Sequence, residues 1–174
     1  MIKTRLKIRT FGDPCLRKKS TPVKVVGAPE RMLIEAMFDT IAQKETEIGL
    51  AASQIGINKQ IFVVDLPDFP HVFVDLKVIR TQGREAMEEG CLSFPGIVFK
   101  VTRPRKIWVE YLDEDNKKCQ LTCEGLQARV ILHENDHVHG KLIVDYAHKS
   151  EIAKQKEALV ALEESTKKAL KINS

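Results

Sequence analysis

The amino-acid sequence predicts an α+β fold with mostly antiparallel sheets, an N-terminal helix and a C-terminal helix. Strand-like runs follow one another through the middle of the chain, separated by short polar turns. Helical patterns stand before and after these runs instead of alternating with them. Grouped strands with attached helices are typical of α+β domains, whereas strict alternation is typical of parallel α/β sheets.

The first helix is predicted after an extended segment. Residues 1–27 are interrupted by Pro14 and Pro22 and are therefore expected to be mostly extended. Pro29 suits a first helical turn, and the helix that it opens is expected to end near residues 45–47. The apolar side chains of this helix recur every four residues, at Leu33, Met37 and Ile41.

Further strands and two more helices are predicted in the rest of the chain. The strand-like runs cover residues 60–66, 72–79, 97–101, 107–112 and 118–123. Residues 113–116 are typical of a turn between the last two strands. A helix is expected from about Gly125, and a charged C-terminal helix covers about residues 150–174. The C-terminal helix keeps its apolar residues on one side, at Ile152, Leu159, Leu162 and Leu170.

Length and charge limit the class of protein. The 174 residues are enough for one domain, residues 1–174, with a single sizeable core. The net charge is +4, and the basic residues are interspersed with many acidic ones. This pattern differs from the clustered basic stripe of a sequence-specific nucleic-acid binder. No apolar run has the length of a membrane helix or the pattern of a signal peptide. We therefore expect a cytoplasmic protein with cysteine thiols, and a monomer in preference to a dimer.

His133, Glu134 and His137 form an HExxH motif on the helix predicted from Gly125. Residues four apart lie on one face of a helix, so two imidazoles at this spacing can bind one divalent cation. The glutamate between them can accept a proton from a water that the cation activates, as in hydrolytic metal sites. The motif alone leaves a second interpretation open, in which both histidines are ordinary residues of an amphipathic helix.

The third protein ligand of such a site must come from another part of the chain. Zinc peptidases of the HExxHxxGxxH type carry a third histidine where this chain has Ile143. Cys91 is a candidate because a thiolate binds soft or borderline cations strongly, and because Gly90 lets the backbone approach closely. Spacing alone does not select it from the other cysteines, which are Cys15, Cys119 and Cys123.

Three motifs occur in order along the chain: GLAAxQ at residues 49–54, EGCLS at residues 89–93 and HExDH at residues 133–137. Together they resemble the peptide deformylases, which remove the formyl group from the initiator methionine of new bacterial and organellar proteins. The resemblance extends from about Phe11 to Leu142. It implies sheets packed around a central HExxH helix. It also implies an enzyme that hydrolyses the N-formyl group of nascent polypeptides and releases formate.

The resemblance also assigns roles to individual residues. The expected metal ligands are Cys91, His133 and His137. Glu134 would act as general base, while the side-chain amide of Gln54 and the backbone N–H of Leu92 would stabilise the oxyanion. The residues that match the substrate site of the family are Ile48, Gly49, Met87, Gly90, Leu126 and Val130. The peptide is expected to add like a strand beside Ile48 and Gly49.

The metal and the partners are further expectations from the resemblance. A Cys/His/His set accepts zinc, but the deformylases are mainly ferrous enzymes, so Fe²⁺ is expected, with Zn²⁺, Ni²⁺ or Co²⁺ able to substitute. The partners would be N-formyl-methionyl nascent peptides and, transiently, the ribosome near its exit tunnel. Arg103 and Asp136 are expected to be structural partners that orient a loop or a ligand. A carboxylate often holds a histidine of a metal site, and the sequence leaves open which histidine is held.

The chain departs from the family pattern at a few places. Glu47 replaces a glycine before GLAAxQ, Leu132 replaces a glutamine before HExxH, and residues 74–76 lack a common Asn-Pro pair. None of these changes removes a ligand or a catalytic group, so they bear on substrate preference and rate.

Two alternative functions remain open. One is a zinc peptidase, against which the EGCLS motif and Ile143 count, and the other is a metal-binding module without activity.

Overall fold

The computed structural model describes residues 6–43 and 47–172. Within these residues the chain forms four α-helices and two sheets, which confirms the predicted α+β fold. The helices are α1 (Ala28–Ile41), α2 (Gly125–Val138), α3 (Lys149–Lys154) and α4 (Lys156–Ile172). The strands are β1 (Gly49–Ala51), β2 (Ile61–Leu66), β3 (Phe69–Gln82), β4 (Glu85–Glu89), β5 (Phe99–Arg103), β6 (Lys106–Leu112) and β7 (Lys118–Glu124).

Neighbouring strands are antiparallel in both sheets. The large sheet has the order β1-β2-β3-β6-β7, and the small sheet pairs β4 with β5. Within the described residues β1 pairs with β2 alone, so β1 forms one edge of the large sheet. Short hairpins place consecutive strands side by side, which explains why strands grouped in sequence form antiparallel sheets.

Helices cover both faces of the large sheet. Successive side chains of a strand point to opposite faces, so Ile61 and Val63 of β2 pack with α1, while Phe62 and Val64 pack with α2. These side chains are at most 1% exposed. Burying each of them contributes roughly 1.5–3 kcal/mol to the free energy of unfolding. The HExxH helix α2 is therefore held against the middle of the large sheet by the hydrophobic core.

Strand β3 changes register at Asp75, inside the segment that departs from the family pattern. The residue has a left-handed backbone with φ 52°. Its carboxylate accepts hydrogen bonds from the backbone N–H groups of Val23 and Lys24, at 2.9 and 2.8 Å. A short polar side chain that bonds to nearby backbone tolerates this conformation better than most residues do. These two hydrogen bonds therefore hold the N-terminal segment against the sheet at the register change.

A third core joins the small sheet to the C-terminal helix α4. Its buried members include Phe94, Phe99, Val101, Leu142 and Leu159. Helix α4 also contacts the N-terminal segment, where the hydroxyl oxygens of Thr10 and Thr166 lie 2.6 Å apart. A Cβ atom added to Gly12 would approach the Cγ of Glu163 to 2.9 Å, so the backbone of the segment lies directly on α4. The apolar stripe of α4 therefore packs against the domain.

Several element boundaries differ from the predicted ones. Helix α1 ends at Ile41, and residues 44–46, on which part of the predicted end falls, lie outside the described residues. The single predicted C-terminal helix is interrupted at Gln155, whose φ and ψ are −97° and 7°. The extended N-terminal segment contains a short 3₁₀-helix, Pro14–Arg17. Strand β4 was not predicted, because its sequence, EAMEE, is mostly polar and exposed and so lacks the usual apolar alternation.

Two expectations from composition also bear on the described residues. All four cysteines lie in the described part of the chain and are unpaired thiols, as predicted. Among residues 6–43 and 47–172, no helix has the length and apolar character needed to cross a membrane.

Candidate metal centre and active site

Three metal-ligating side chains meet between α2 and the segment that follows β4. His133 and His137 lie one turn apart on α2, and Cys91 lies two residues after the end of β4. The sulfur of Cys91 is 3.2 Å from Nε2 of His137, and one ligand atom from each of the three residues lies within 4.8 Å of the others. Ligands at about 2.0–2.3 Å from one tetrahedral ion are roughly 3.5 Å apart. The group therefore fits a single divalent cation.

Glu89 sets the orientation of the His133 ring. Nδ1 of His133 lies 3.1 Å from Oε2 of Glu89, so Nε2 is the nitrogen left for a metal. Burial lowers the pKa of His133, but the charge of Cys91 and the hydrogen bond to Glu89 raise it more, and the resulting pKa is well above its usual value. With this raised pKa the ring carries a proton on Nε2 as well as on Nδ1. A cation that binds Nε2 displaces the proton there, so metal binding should release protons. A carboxylate behind a ligand histidine also makes the ring a better donor.

His137 is held in the form that binds metals. Its side chain is 1% exposed, and burial, followed by the charges of His133 and Arg103, keeps its pKa well below the usual value. A neutral imidazole has a lone pair available for a cation. Within the described residues Nδ1 of His137 has no hydrogen-bond partner, so Nε2, beside the Cys91 sulfur, is the nitrogen placed for coordination.

Two arginines hold Glu89 in turn. Nε and Nη2 of Arg103 donate to its two oxygens at 2.6 and 2.9 Å, and Nη1 of Arg129 donates to Oε1 at 2.5 Å. Burial raises the pKa of Glu89, but hydrogen bonds from His133 and Arg103 lower it more, to about 2. Glu89 is therefore ionised near neutral pH and remains an acceptor for the His133 ring.

The Glu134 carboxylate is buried beside Gly49. The residue is 4% exposed, and its Oε2 has no hydrogen-bond partner among the described residues. Burial raises the pKa of Glu134, and nearby cations, His133 first, lower it, with a result of about 7. A Cβ atom added to Gly49 would lie 2.7 Å from Oε1 of Glu134, closer than such atoms approach. Because Gly49 has no side chain, the Glu134 carboxylate can lie directly against its backbone.

The side-chain amide of Gln54 faces the metal-ligating group. Oε1 accepts a hydrogen bond from the backbone N–H of Ala51 at 2.8 Å. This contact fixes the amide, so that Nε2 lies 3.6 Å from the sulfur of Cys91 and 3.4 Å from the hydroxyl of Ser93. Leu92 lies between Cys91 and Ser93, in the turn that follows β4. The GLAAxQ and EGCLS motifs thus meet beside the HExxH helix.

A cavity of about 520 Å³ opens beside this group. All the residues predicted to bind substrate line it: Ile48, Gly49, Met87, Gly90, Leu126 and Val130. Gln54, Leu92 and Glu134 also line the cavity, as does Glu47, where the family pattern has glycine. Met87 and Leu126 are 40% and 49% exposed, whereas Val130 is 6% exposed. The cavity therefore has an apolar wall that extends from its mouth into the protein.

The supporting contacts differ in part from those expected. Asp136 does not hold a ligand histidine in the described structure; it accepts hydrogen bonds from Arg103 at 2.7 Å and from the Tyr146 hydroxyl at 2.8 Å. Glu89 holds His133 instead. The sequence marked Glu89 only as the first residue of the EGCLS motif. Arg129 was missed, because its partners lie 28 to 44 residues away along the chain.

Comparisons with known proteins agree with the motifs. A family model described as polypeptide deformylase matches residues 5–153. Peptide deformylase 2 of Xanthomonas campestris pv. campestris is 42% identical over 147 residues, which cover 81% of this chain and 86% of that protein. The peptide deformylase of Clostridium botulinum is 41% identical over 138 residues, which cover 79% of this chain and 93% of that protein.

Solved structures resemble this chain as well. A plant peptide deformylase superposes with a TM-score of 0.90 at 31% identity, covering 97% of this chain and 95% of that one. A peptide deformylase from Synechococcus elongatus, in complex with actinonin, superposes with a TM-score of 0.84 at 38% identity, covering 93% of this chain and 88% of that one. The similarity thus extends over both sheets and the helix that carries the histidines.

Proposed function

Because the chain belongs to the peptide deformylase family of hydrolases, we propose that it removes the N-formyl group from the initiator formyl-methionine of nascent polypeptides by metal-dependent hydrolysis and releases formate. One observation carries this proposal. Cys91, His133 and His137 form a ligand group directly beside a buried carboxylate, Glu134, at the wall of one cavity. The arrangement supplies three ligands for a cation and a base for a water molecule.

Glu134 is the group that moves protons. Bound by Cys91, His133 and His137, a divalent cation would polarise the formyl carbonyl and lower the pKa of a water molecule toward neutrality. The Glu134 carboxylate accepts the proton of the attacking water and passes it to the nitrogen of the departing methionine. Burial raises the pKa of Glu134 to about 7 in the absence of a cation, and a bound cation would bring it lower, so the carboxylate is ionised near neutral pH and can accept a proton.

Gln54 and Leu92 are the proposed donors to the oxyanion that forms when water attacks the formyl carbon. Nε2 of Gln54 faces the ligand group, and its orientation is fixed in advance by the Ala51 N–H, so little reorganisation is needed. The backbone N–H of Leu92 would add a second donor from the turn after Cys91. Loss of one such donor typically lowers the rate about 10²–10³-fold.

The edge strand β1 supports the proposed mode of substrate binding. An exposed strand edge can pair with an extended peptide through main-chain hydrogen bonds. Because β1 begins at Gly49 and Ile48 lines the same cavity, a peptide along this edge would present its first residue to the ligand group. The methionine side chain would lie against the apolar wall of the cavity. Glu47, at the same end of β1, would lie near the residues that follow methionine.

The resident metal is proposed to be Fe²⁺, with Zn²⁺, Ni²⁺ or Co²⁺ able to substitute. One thiolate and two imidazoles suit several of these ions, so the ligand set alone does not select iron. The direct test is anaerobic purification, followed by metal analysis and a formate-release assay with formyl-Met-Ala-Ser on the same sample. We expect iron and formate together. Internal cleavage of longer peptides, without formate release, would contradict the proposal and favour a peptidase.

Peroxide is expected to inactivate the iron-loaded enzyme much faster than the nickel-loaded enzyme, with added oxygen found on Cys91. Cys91 is partly exposed and lines the cavity, so peroxide can reach its sulfur, and a redox-active ion beside it speeds oxidation to sulfenic and sulfinic acid. Peptide mapping by mass spectrometry locates the oxygen. Complete inactivation with oxygen confined to Cys119 or Cys123 would contradict this expectation.

The cellular setting is proposed from the family and from the charge. The proposed location is the cytoplasm, and the partners are N-formyl-methionyl nascent peptides and, transiently, the ribosome near its exit tunnel. The net charge of +4 is compatible with weak attraction to a surface rich in RNA. A monomer is proposed as the working form, and sedimentation analysis would test it.

Ending the chain after Gln155 is expected to lower the melting temperature but to leave kcat/KM on formyl-Met-Ala-Ser within a few-fold. The cut removes α4 and exposes the core around Leu159, and a buried leucine contributes roughly 1.5–3 kcal/mol. The ligands and Glu134 all lie in earlier elements, so the chemistry should survive. A truncated protein that is folded and metal-loaded, yet inactive on the tripeptide, would show that α4 is needed for catalysis.

A further inference from the structure

Arg129 is a buried cation that the proposed mechanism does not use. It lies on α2, one turn before His133, and is 5% exposed. Nη1 donates to the Glu89 carboxylate at 2.5 Å and to the carbonyl of Val101 at 3.0 Å, while Nη2 donates to the carbonyl of Glu85 at 2.8 Å. One guanidinium therefore joins α2 to both strands of the small sheet.

The metal ligands come from the two elements that this guanidinium joins. His133 and His137 belong to α2, whereas Cys91 follows β4 after Glu89 and Gly90. The distance between the sulfur and the imidazoles therefore depends on how the small sheet is seated against α2. Only one residue, Gly90, separates the end of β4 from Cys91, so the position of β4 largely determines the position of the Cys91 sulfur.

Arg103 makes a second connection between the same elements, but of a different kind. It extends from β5 to Glu89 and, through Nη1, to Asp136 on α2 at 2.7 Å. Its hydrogen bonds go to side chains, which can rotate. Arg129 instead holds two backbone carbonyls together with the carboxylate, and the planar guanidinium has its donors in fixed directions. Arg129 therefore ties α2 directly to the backbone of the small sheet.

We propose that Arg129 is a positioning residue that sets the distance between Cys91 and the two histidines, and thereby the metal affinity. This inference rests on the proposed function, because the group that it positions is the proposed metal site. A merely structural ion pair would change stability alone. Removing one partner of a buried pair destabilises a protein by leaving a buried charge unpaired, but Arg103 would still donate to both oxygens of Glu89 in a variant that lacks the Arg129 guanidinium. A positioning residue changes metal binding in a protein that remains folded.

The test replaces Arg129 by methionine, which keeps an unbranched apolar stem and removes the guanidinium. Co²⁺ is the probe, because absorption from thiolate-to-cobalt charge transfer reports the bond to Cys91. We expect the Co²⁺ dissociation constant of Arg129→Met to rise about 10- to 100-fold, as for other residues that support metal ligands, with a weaker charge-transfer band. Unfolding should remain cooperative. Arg84→Met, the same change at an exposed position before β4, should bind Co²⁺ like the parent protein.

Arg129→Lys separates charge from geometry. A lysine can place one ammonium near Glu89, but it cannot also hold the carbonyls of Glu85 and Val101 in a fixed fork, so its Co²⁺ affinity should lie between those of the parent and Arg129→Met. The proposal is overturned if folded Arg129→Met binds Co²⁺ within twofold of the parent. If that variant does not fold, a dissociation constant within twofold for Arg129→Lys overturns it, and a several-fold rise supports it. Failure of the proposed function would appear separately, as a parent protein that binds no Co²⁺ or releases no formate.

Discussion

Glu134→Gln should keep the metal and lose nearly all turnover of formyl-Met-Ala-Ser. The carboxylate neighbours His133 without belonging to the ligand group, so the amide should leave coordination intact. Glutamine has nearly the same shape but cannot accept the proton of the attacking water. Since a general base contributes about 10²–10⁴-fold, kcat should fall by at least about two orders of magnitude with little change in KM.

The measurement pairs formate-release kinetics with metal analysis on the same sample. Glu124→Gln, the same change at the exposed last residue of β7, immediately before α2, is the matched control and should behave like the parent protein. A metal-loaded Glu134→Gln protein that keeps more than a tenth of the parent rate would show that Glu134 is not the base.

The pH profile gives a second readout of Glu134. The base must be ionised, so activity is present above its pKa and is lost as the pH falls through it. The buried carboxylate has a pKa of about 7 without a cation, and a bound cation lowers that pKa further. The acid limb of kcat/KM should therefore lie below pH 7, and it should disappear in Glu134→Gln. An unchanged acid limb in the variant would assign the limb to another group.

Gly49→Ala should lower kcat about 10²-fold while the metal content stays unchanged. The added Cβ would lie 2.7 Å from Oε1 and 3.0 Å from Cδ of Glu134, so the carboxylate must move. The carboxylate is buried, and a displacement of about 1 Å in a catalytic group can cost about 10²-fold. The three heavy atoms nearest to the new Cβ all belong to Glu134 and none to a metal ligand, so metal binding should persist.

Gly90→Ala provides the comparison within the same cavity wall. Among the described residues other than its two chain neighbours, a Cβ atom there would meet only Cγ1 of Val98, at 3.7 Å, an ordinary van der Waals contact. The loss should therefore be much smaller than for Gly49→Ala, when both are measured as kcat and KM on formyl-Met-Ala-Ser. Equal losses in the two variants would mean that substrate contact with the backbone, and not displacement of Glu134, explains the role of Gly49.

The fold was predictable where the local pattern is strong. Helix α2 begins at Gly125 as predicted, and β6 and β7 were predicted within one residue, because apolar periodicity and the acidic turn between them mark their ends. Strand β4 has an exposed, mostly polar sequence, and it becomes a strand through its pairing with β5. The local sequence of β4 does not indicate that it pairs with β5.

The ligand group was predictable to different degrees. The spacing of His133 and His137 is a helical repeat, which is visible in any sequence, while the choice of Cys91 came from the order of three motifs. The burial that gives Glu134 a pKa near 7 and the contact that requires glycine at position 49 could not be predicted, because each depends on atoms brought together from distant segments.

The sequence by itself determined the fold class and the family, and it proposed Cys91, His133 and His137 as ligands, because helical spacing, strand patterning and motif order can all be read from the chain. Only the tertiary structure decided that Glu89, not Asp136, holds His133, and that Arg129 joins α2 to the small sheet. These contacts link residues 28 to 44 positions apart. Their partners are selected by the packing of the small sheet against α2, which no local pattern encodes.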